Sequence, residues 1–152
     1  QARRIESGIL SWGVDMSQNE NPFQVGLGRL VEIGTNDDFV GKQAAIQLKS
    51  TKQKRVLVGI KLFSKNKLSN ETHWKILFDK EIIGNLTSVS YSPRLKYNIG
   101  LGIVEANYSS IGTKFKIEAY NELVDAEIVQ LPFLEKKQKL NAEVLANKFY
   151  SN

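Results

Sequence analysis

The sequence predicts a mainly β protein with some α, built around a six-stranded antiparallel barrel. Two observations point there. From Lys54 onward the hydrophobic pattern takes a period of two, that of a strand with one buried face, in runs of β-branched and aromatic residues. Those runs are separated by turn signals and not by helical segments, and six short strands without covering helices lose their exposed edges by closing into a barrel.

The strands are expected at 55–63, 74–78, 81–89, 99–104, 114–120 and 123–130, with Asp79-Lys80 and Asn121-Glu122 as tight hairpin connections. The first fifty residues have another texture: a short amphipathic opening, a Gly-rich middle, and a segment in which Ala44, Ala45 and Leu48 recur at helical spacing after Gly41. Asp37 and Asp38 lie just ahead, where negative charge suits a helix start. A helix over about 41–50, packed against the barrel, is expected. After Pro132-Phe133 the chain is Lys-rich and helix-prone, with Leu140, Val144 and Leu145 at helical spacing, a docking helix or a frayed end. The expected organisation is therefore a unit over 1–50, a barrel domain over 51–134 and a tail over 135–152.

Composition excludes several chemistries. The chain has no cysteine, so disulfides, thiolate zinc, iron–sulfur ligation and thiol nucleophiles are excluded within these residues, and a single histidine, His73, excludes a multi-histidine metal site. No apolar run approaches the roughly 18 to 20 residues of a membrane span, so a soluble protein of the cytoplasm, or of the mitochondrial matrix in a eukaryote, is expected. The start at Gln-Ala-Arg-Arg without Met has the look of an excised or processed segment. The net charge of +5 comes mostly from Lys, but no aromatics interleave with the tract from Lys49 to Arg55. That tract therefore reads as a solvated linker and not as a nucleic-acid site.

Three segments carry a resemblance. The first is Arg4-Ile-Glu-Ser-Gly-Ile-Leu-Ser-Trp-Gly-Val-Asp15, followed by Asn21-Pro22 and Gly26-Leu-Gly28. The second is Asp38-Phe-Val-Gly-Lys42. The third is Ile83-Gly-Asn-Leu-Thr-Ser-Val-Ser-Tyr-Ser-Pro-Arg-Leu95, then Ile99-Gly-Leu-Gly-Ile-Val104, with Leu131-Pro-Phe133 closing the series. In this order and spacing they resemble the C-terminal portion of the glycine-cleavage T-protein (aminomethyltransferase) family. The resemblance implies a Greek-key-type barrel preceded by an α/β remnant of the folate-binding domain. It also implies tetrahydrofolate as cofactor, with the missing N-terminal half of the same enzyme as partner.

The family's acidic residue in the Arg-x-Glu-x-Gly stretch recognises the pterin, whose amino group and ring N–H are parallel donors to one carboxylate. Glu6 occupies that position. Read from the residues alone, Glu6 would be a helix-surface partner of Arg3 or Arg4, a contact of about 0 to 1 kcal/mol. The pterin reading predicts that its loss weakens cofactor binding with little effect on stability. Trp12 stands where the family often has Tyr, and either stacks on the pterin or aminobenzoate ring or packs in the core. Asp15 closes its own turn. Arg29 and Arg94 either pair with the folate glutamate tail or are solvated. Ser92, ahead of Pro93, is structural, since a serine nucleophile needs a histidine or lysine base oriented by a third group and the one histidine, His73, adjoins a Ser/Asn-rich loop, and Thr87 and Ser88 are packing residues of a strand. The family's general acid or base, an Asp, lies in the N-terminal portion and has no counterpart here, so no catalytic residue is assigned and these residues alone are expected to be inactive.

The function so implied is transfer of a one-carbon unit to tetrahydrofolate, from the lipoyl carrier protein of glycine cleavage or from a small amine or sulfonium donor. The stretch Arg-Ile-Glu-Ser-Gly with Trp-Gly-x-Asp-Met is at least as similar to the family's dimethylsulfoniopropionate demethylase branch. Two other readings stand beside it: a non-catalytic folate-binding or assembly module, whose Cys-containing motif is missing here, and the folate domain of a dimethylglycine or sarcosine dehydrogenase.

Overall fold

A computed structural model describes residues 1–134, so the tail expected over 135–152 lies outside the described residues. Six strands form where the two-residue periodicity places them: β1 (Arg55–Phe63), β2 (Trp74–Phe78), β3 (Glu81–Ser92), β4 (Tyr97–Glu105), β5 (Lys114–Ala119) and β6 (Glu122–Val129). They close into one barrel in the order β1-β4-β3-β2-β5-β6, with each neighbouring pair antiparallel. Strands β2, β3 and β4 follow one another as neighbours while β1 returns beside β4, which is a Greek key.

Two hairpins carry the turn chemistry that the right-handed twist demands. Asp79 and Lys80 between β2 and β3 both have positive φ (46° and 73°), as a type I′ connection requires. The second expected connection is displaced by one residue. Ala119 pairs with Glu122, so Tyr120 and Asn121 take the left-handed conformations (49° and 67°), and Glu122 belongs to the strand. Strand β3 also runs three residues past Val89, because Tyr91 and Ser92 still pair with Asn98 and Tyr97.

Side chains from alternate positions fill the barrel, including Val58, Ile60 and Leu62 of β1, Ile76 of β2, Leu86 and Val89 of β3 and Ile117 of β5. Strand β4 is buried on both faces, which explains its continuous apolar run: Val104 points into the barrel, whereas Ile99 and Leu101 face outward into a second apolar cluster. Strands β3 and β4 approach so closely that a Cβ at Gly84 would lie 2.1 Å from the Ile103 carbonyl oxygen.

A nine-residue helix, α2 (Lys42–Ser50), forms as its periodicity predicts, starting behind Gly41 at φ 90°. Its expected packing against the barrel is not found. None of its residues is buried, and of the positions that predicted an inward stripe Ala44 and Leu48 are exposed and Ala45 is half-buried. Periodicity marks a helix but does not say what covers it.

Gly84→Ala should force β3 away from β4, since backbone and not a flexible side chain blocks the added methyl. Overpacking of this kind costs roughly 1 to 3 kcal/mol. A urea-unfolding midpoint lowered to match is the expected result, and an unchanged midpoint would show that the pair has room to part.

Candidate functional site

Helix α1 (Ala2–Glu6) has five residues, too few to be stable by itself, and its position is set by what it touches on the outer faces of β3 and β4. Ile5 is fully buried against Ile99 and Leu101. Gly8, at φ 67°, turns the chain away after the helix. On either side of Ile5, Arg4 and Glu6 are fixed to β3 by separate polar contacts.

The first contact centres on Asp15, which is 1% exposed. Its Oδ2 accepts from Arg4 Nη1 at 2.5 Å and from the Ser11 backbone N–H at 2.9 Å. Its Oδ1 accepts from the hydroxyls of Thr87 at 2.7 Å and Ser88 at 2.6 Å. Arg4 Nη2 donates in turn to Ser88 Oγ at 2.9 Å, which closes a ring of charge-assisted bonds. Asp15 does close its own turn through Ser11, but three of its four donors come from elsewhere in the chain.

Thr87 and Ser88 are consecutive, and in a regular strand their side chains would face opposite sides. The pairing of β3 with β4 shifts register between Leu86 and Ser88, leaving Thr87 as an extra residue, a β-bulge. The bulge brings both hydroxyls to one carboxylate oxygen and lets Leu86 and Val89, three apart, both enter the core. Thr87 and Ser88 are therefore more than packing residues.

Burial pushes the Asp15 carboxyl up, but the bonds from Ser88, Thr87 and Ser11 and the Arg4 charge outweigh it and hold Asp15 below its ordinary 3.8. A carboxylate with a depressed folded-state pKa contributes stability that is fully present above the unfolded value and is lost as pH falls through the folded one.

The second contact centres on Glu6, which is 2% exposed and so is no surface partner of Arg3 or Arg4. Its Oε1 accepts from Ser92 Oγ at 2.6 Å, and Ser92 Oγ accepts from the Leu95 backbone N–H at 3.1 Å. The nearest cation to Oε2 is Arg94 Nη1 at 3.9 Å, beyond hydrogen-bond length. Among the described residues no donor satisfies Oε2. Since no fully buried side-chain oxygen in this region lacks a partner, Oε2 keeps a narrow opening to solvent. The expectation that loss of Glu6 leaves stability unchanged is corrected by this burial: truncation to Ala would leave a cavity and orphan the Ser92 hydroxyl.

The structure brings Glu6 and Arg94 together and leaves the other two sequence candidates apart. Trp12 is 67% exposed beside the turn that Asp15 closes, so its core-packing reading is overturned. Arg29 lies exposed in a short 3₁₀ turn (Gly28–Leu30), and no carboxylate of the described residues pairs with it. Ser92 spends its proton on Glu6, and His73 Nε2 is 2.9 Å from the Val14 carbonyl, so no serine–histidine pair exists here. A cavity of about 240 Å³ opens beside Asp15 between Met16, His73, Asn85 and Thr87. A larger one, about 910 Å³ between Phe63, Phe78, Phe115 and Leu123, shares no residue with this site.

Asp15→Asn should lower stability near neutral pH by about 3 kcal/mol, the low end for a broken buried pair because Arg4 remains 23% exposed. The stability of the variant should also respond less than the parent's as pH falls below 3.8. Urea unfolding of both proteins at neutral and acid pH measures this, and parallel pH profiles would contradict it.

Residues 55–135 match the family model described as the glycine cleavage T-protein C-terminal barrel domain. The aminomethyltransferase of Clostridium botulinum (strain Kyoto / Type A2) is 35% identical over 136 residues, covering 90% of this chain and 36% of that protein. The aminomethyltransferase of Bacillus mycoides (strain KBAB4) is 31% identical over 135 residues, covering 89% and 36%. The crystal structure of glycine cleavage system aminomethyltransferase T from Bartonella henselae superimposes with a TM-score of 0.78 at 22% identity, over 88% of this chain and 37% of that one, a likeness of fold. The chain thus spans little more than a third of the length of the relatives it matches.

Proposed function

Because the chain belongs to the glycine cleavage T-protein family and carries its C-terminal barrel domain, we propose that it is the C-terminal part of a tetrahydrofolate-dependent one-carbon transferase. The observation that supports this best is the state of Glu6. One oxygen is held by Ser92 while the other has no donor at bonding distance, so a buried carboxylate is already oriented with acceptor capacity to spare. A pterin edge, with its amino group and ring N–H side by side, offers the donors such a carboxylate lacks. The residues fit the cofactor in charge and in hydrogen-bonding sense.

The bound cofactor supplies the nitrogen that accepts the one-carbon unit. The chain's own residues bind and orient. Glu6 fixes the pterin edge with Arg94 beside it, Trp12 offers an exposed flat face to an aromatic ring, and the exposed guanidinium of Arg29 is available to the folate carboxylates. No residue here takes the general acid or base role, which we assign to the preceding part of the full-length enzyme together with the donor site. That part would cover the apolar side chains exposed on the N-terminal fifty residues, Ile9, Leu30, Phe39 and Val40 among them. The donor in this reading is the aminomethyl group on a lipoyl carrier protein or a methyl-bearing small amine or sulfonium compound.

Glu6→Gln keeps the shape of the carboxylate but turns an acceptor into a donor that faces a donor. Losing a buried charged contact costs roughly 2 to 5 kcal/mol, so tetrahydrofolate affinity of the full-length protein should fall about 30-fold or more. Calorimetric titration of parent and variant with tetrahydrofolate tests this. Equal affinities would move the pterin site elsewhere.

A further inference from the structure

We propose that Asp15 is a positioning residue for Glu6: through Arg4 and Ser88 it fixes α1 along β3 and so sets where the Glu6 carboxylate meets its ligand. This rests on the reading of Glu6 as the pterin-recognising group.

The geometry supports it in three ways. Closing the turn at 11–15 needs only the bond from Ser11, yet the Asp15 carboxylate is buried and takes three further donors, all from α1 and β3. Burial of a charge costs several kcal/mol unless it is paired, and a turn alone gives no reason to incur that cost.

The two polar contacts also fall at separate points along β3. Ser88 and Ser92 are four residues apart on one strand, roughly 13 Å at 3.3 Å per residue, whereas Arg4 and Glu6 differ by only about 3 Å along a helix rising 1.5 Å per residue. The helix is therefore spanned between two posts, with the long Arg4 side chain bonded to one and Glu6 to the other. A slide along β3 would carry both Arg4 and Glu6 away from the hydroxyls that hold them. The apolar contact of Ile5 is non-directional and would tolerate such a slide by itself. Finally, the bulge at Thr87 disrupts the barrel ladder while aiming both hydroxyls at Asp15. Bulges that re-aim side chains are over-represented next to active sites, as they are at sheet edges and barrel rims.

A double-mutant cycle in the full-length protein separates positioning from plain stabilisation. Asp15→Asn removes the carboxylate charge, and Ser88→Ala, a milder change that should fold in any case, removes one bond to Asp15 and one to Arg4. Tetrahydrofolate affinity is measured for each variant with Glu6 and again with Glu6→Gln. Displacement of a binding group by about 1 Å can cost up to 100-fold, so each variant should weaken binding about 10-fold with Glu6 present and less than about 2-fold in the Glu6→Gln background. Equal losses in both backgrounds, or a lowered melting temperature with unchanged affinity in both variants, would overturn the proposal. If Glu6→Gln itself leaves affinity intact, the pterin reading fails and this one with it, an outcome distinct from additive losses. If Asp15→Asn does not fold, Ser88→Ala decides.

Discussion

A buried carboxylate must collect its donors from wherever the chain can bring them, and at Asp15 that requirement joins two parts of the sequence that lie far apart. Its donors come from residues 4, 11, 87 and 88, and the Arg4–Ser88 bond spans 84 positions. Removing any of them leaves charge in a site nearly closed to water. The opening helix is consequently an outer layer on the barrel, with Ile5 completing the apolar cluster over Ile99 and Leu101. Helix α2, close to the barrel in sequence, has no such tie and no buried residue.

The site follows from that tie. A five-residue helix has no intrinsic stability to spend on orienting a side chain, so any fixed direction at Glu6 has to be imposed from outside. Ser92 imposes it at one end, and Arg4 and Asp15 at the other. A carboxylate held in this manner loses little further freedom when a ligand binds, which is how pre-set groups gain affinity.

The barrel was legible because strand periodicity is local. Ranges such as 55–63 and 74–78 coincide with β1 and β2, and the errors sit at ends, as at Asn121-Glu122, where a one-residue shift lets Tyr120 and Asn121 supply the positive φ of the turn. The burial of Glu6 and the exposure of Trp12 were not legible, because both depend on which face of a short segment meets the barrel, and five or six residues carry no readable period. Nor was the role of Thr87 and Ser88. A strand pattern assigns consecutive residues to opposite faces, and only the bulge, which no spacing in the sequence marks, puts them together. Family resemblance singled out Glu6 as a binding residue but was silent on the Asp15 contacts that hold it.

In the proposed reading the barrel sets the Glu6 carboxylate in place before the cofactor arrives. The most direct measurement is a crystal structure of the full-length protein with tetrahydrofolate bound. In that complex Glu6 should keep its bond to Ser92, the Arg4–Asp15–Ser88 ring should be unchanged, and the pterin amino group and ring N–H should lie within hydrogen-bonding distance of the Glu6 carboxylate. A pterin bound away from Glu6, or a helix α1 that shifts along β3 when the cofactor binds, would contradict that reading.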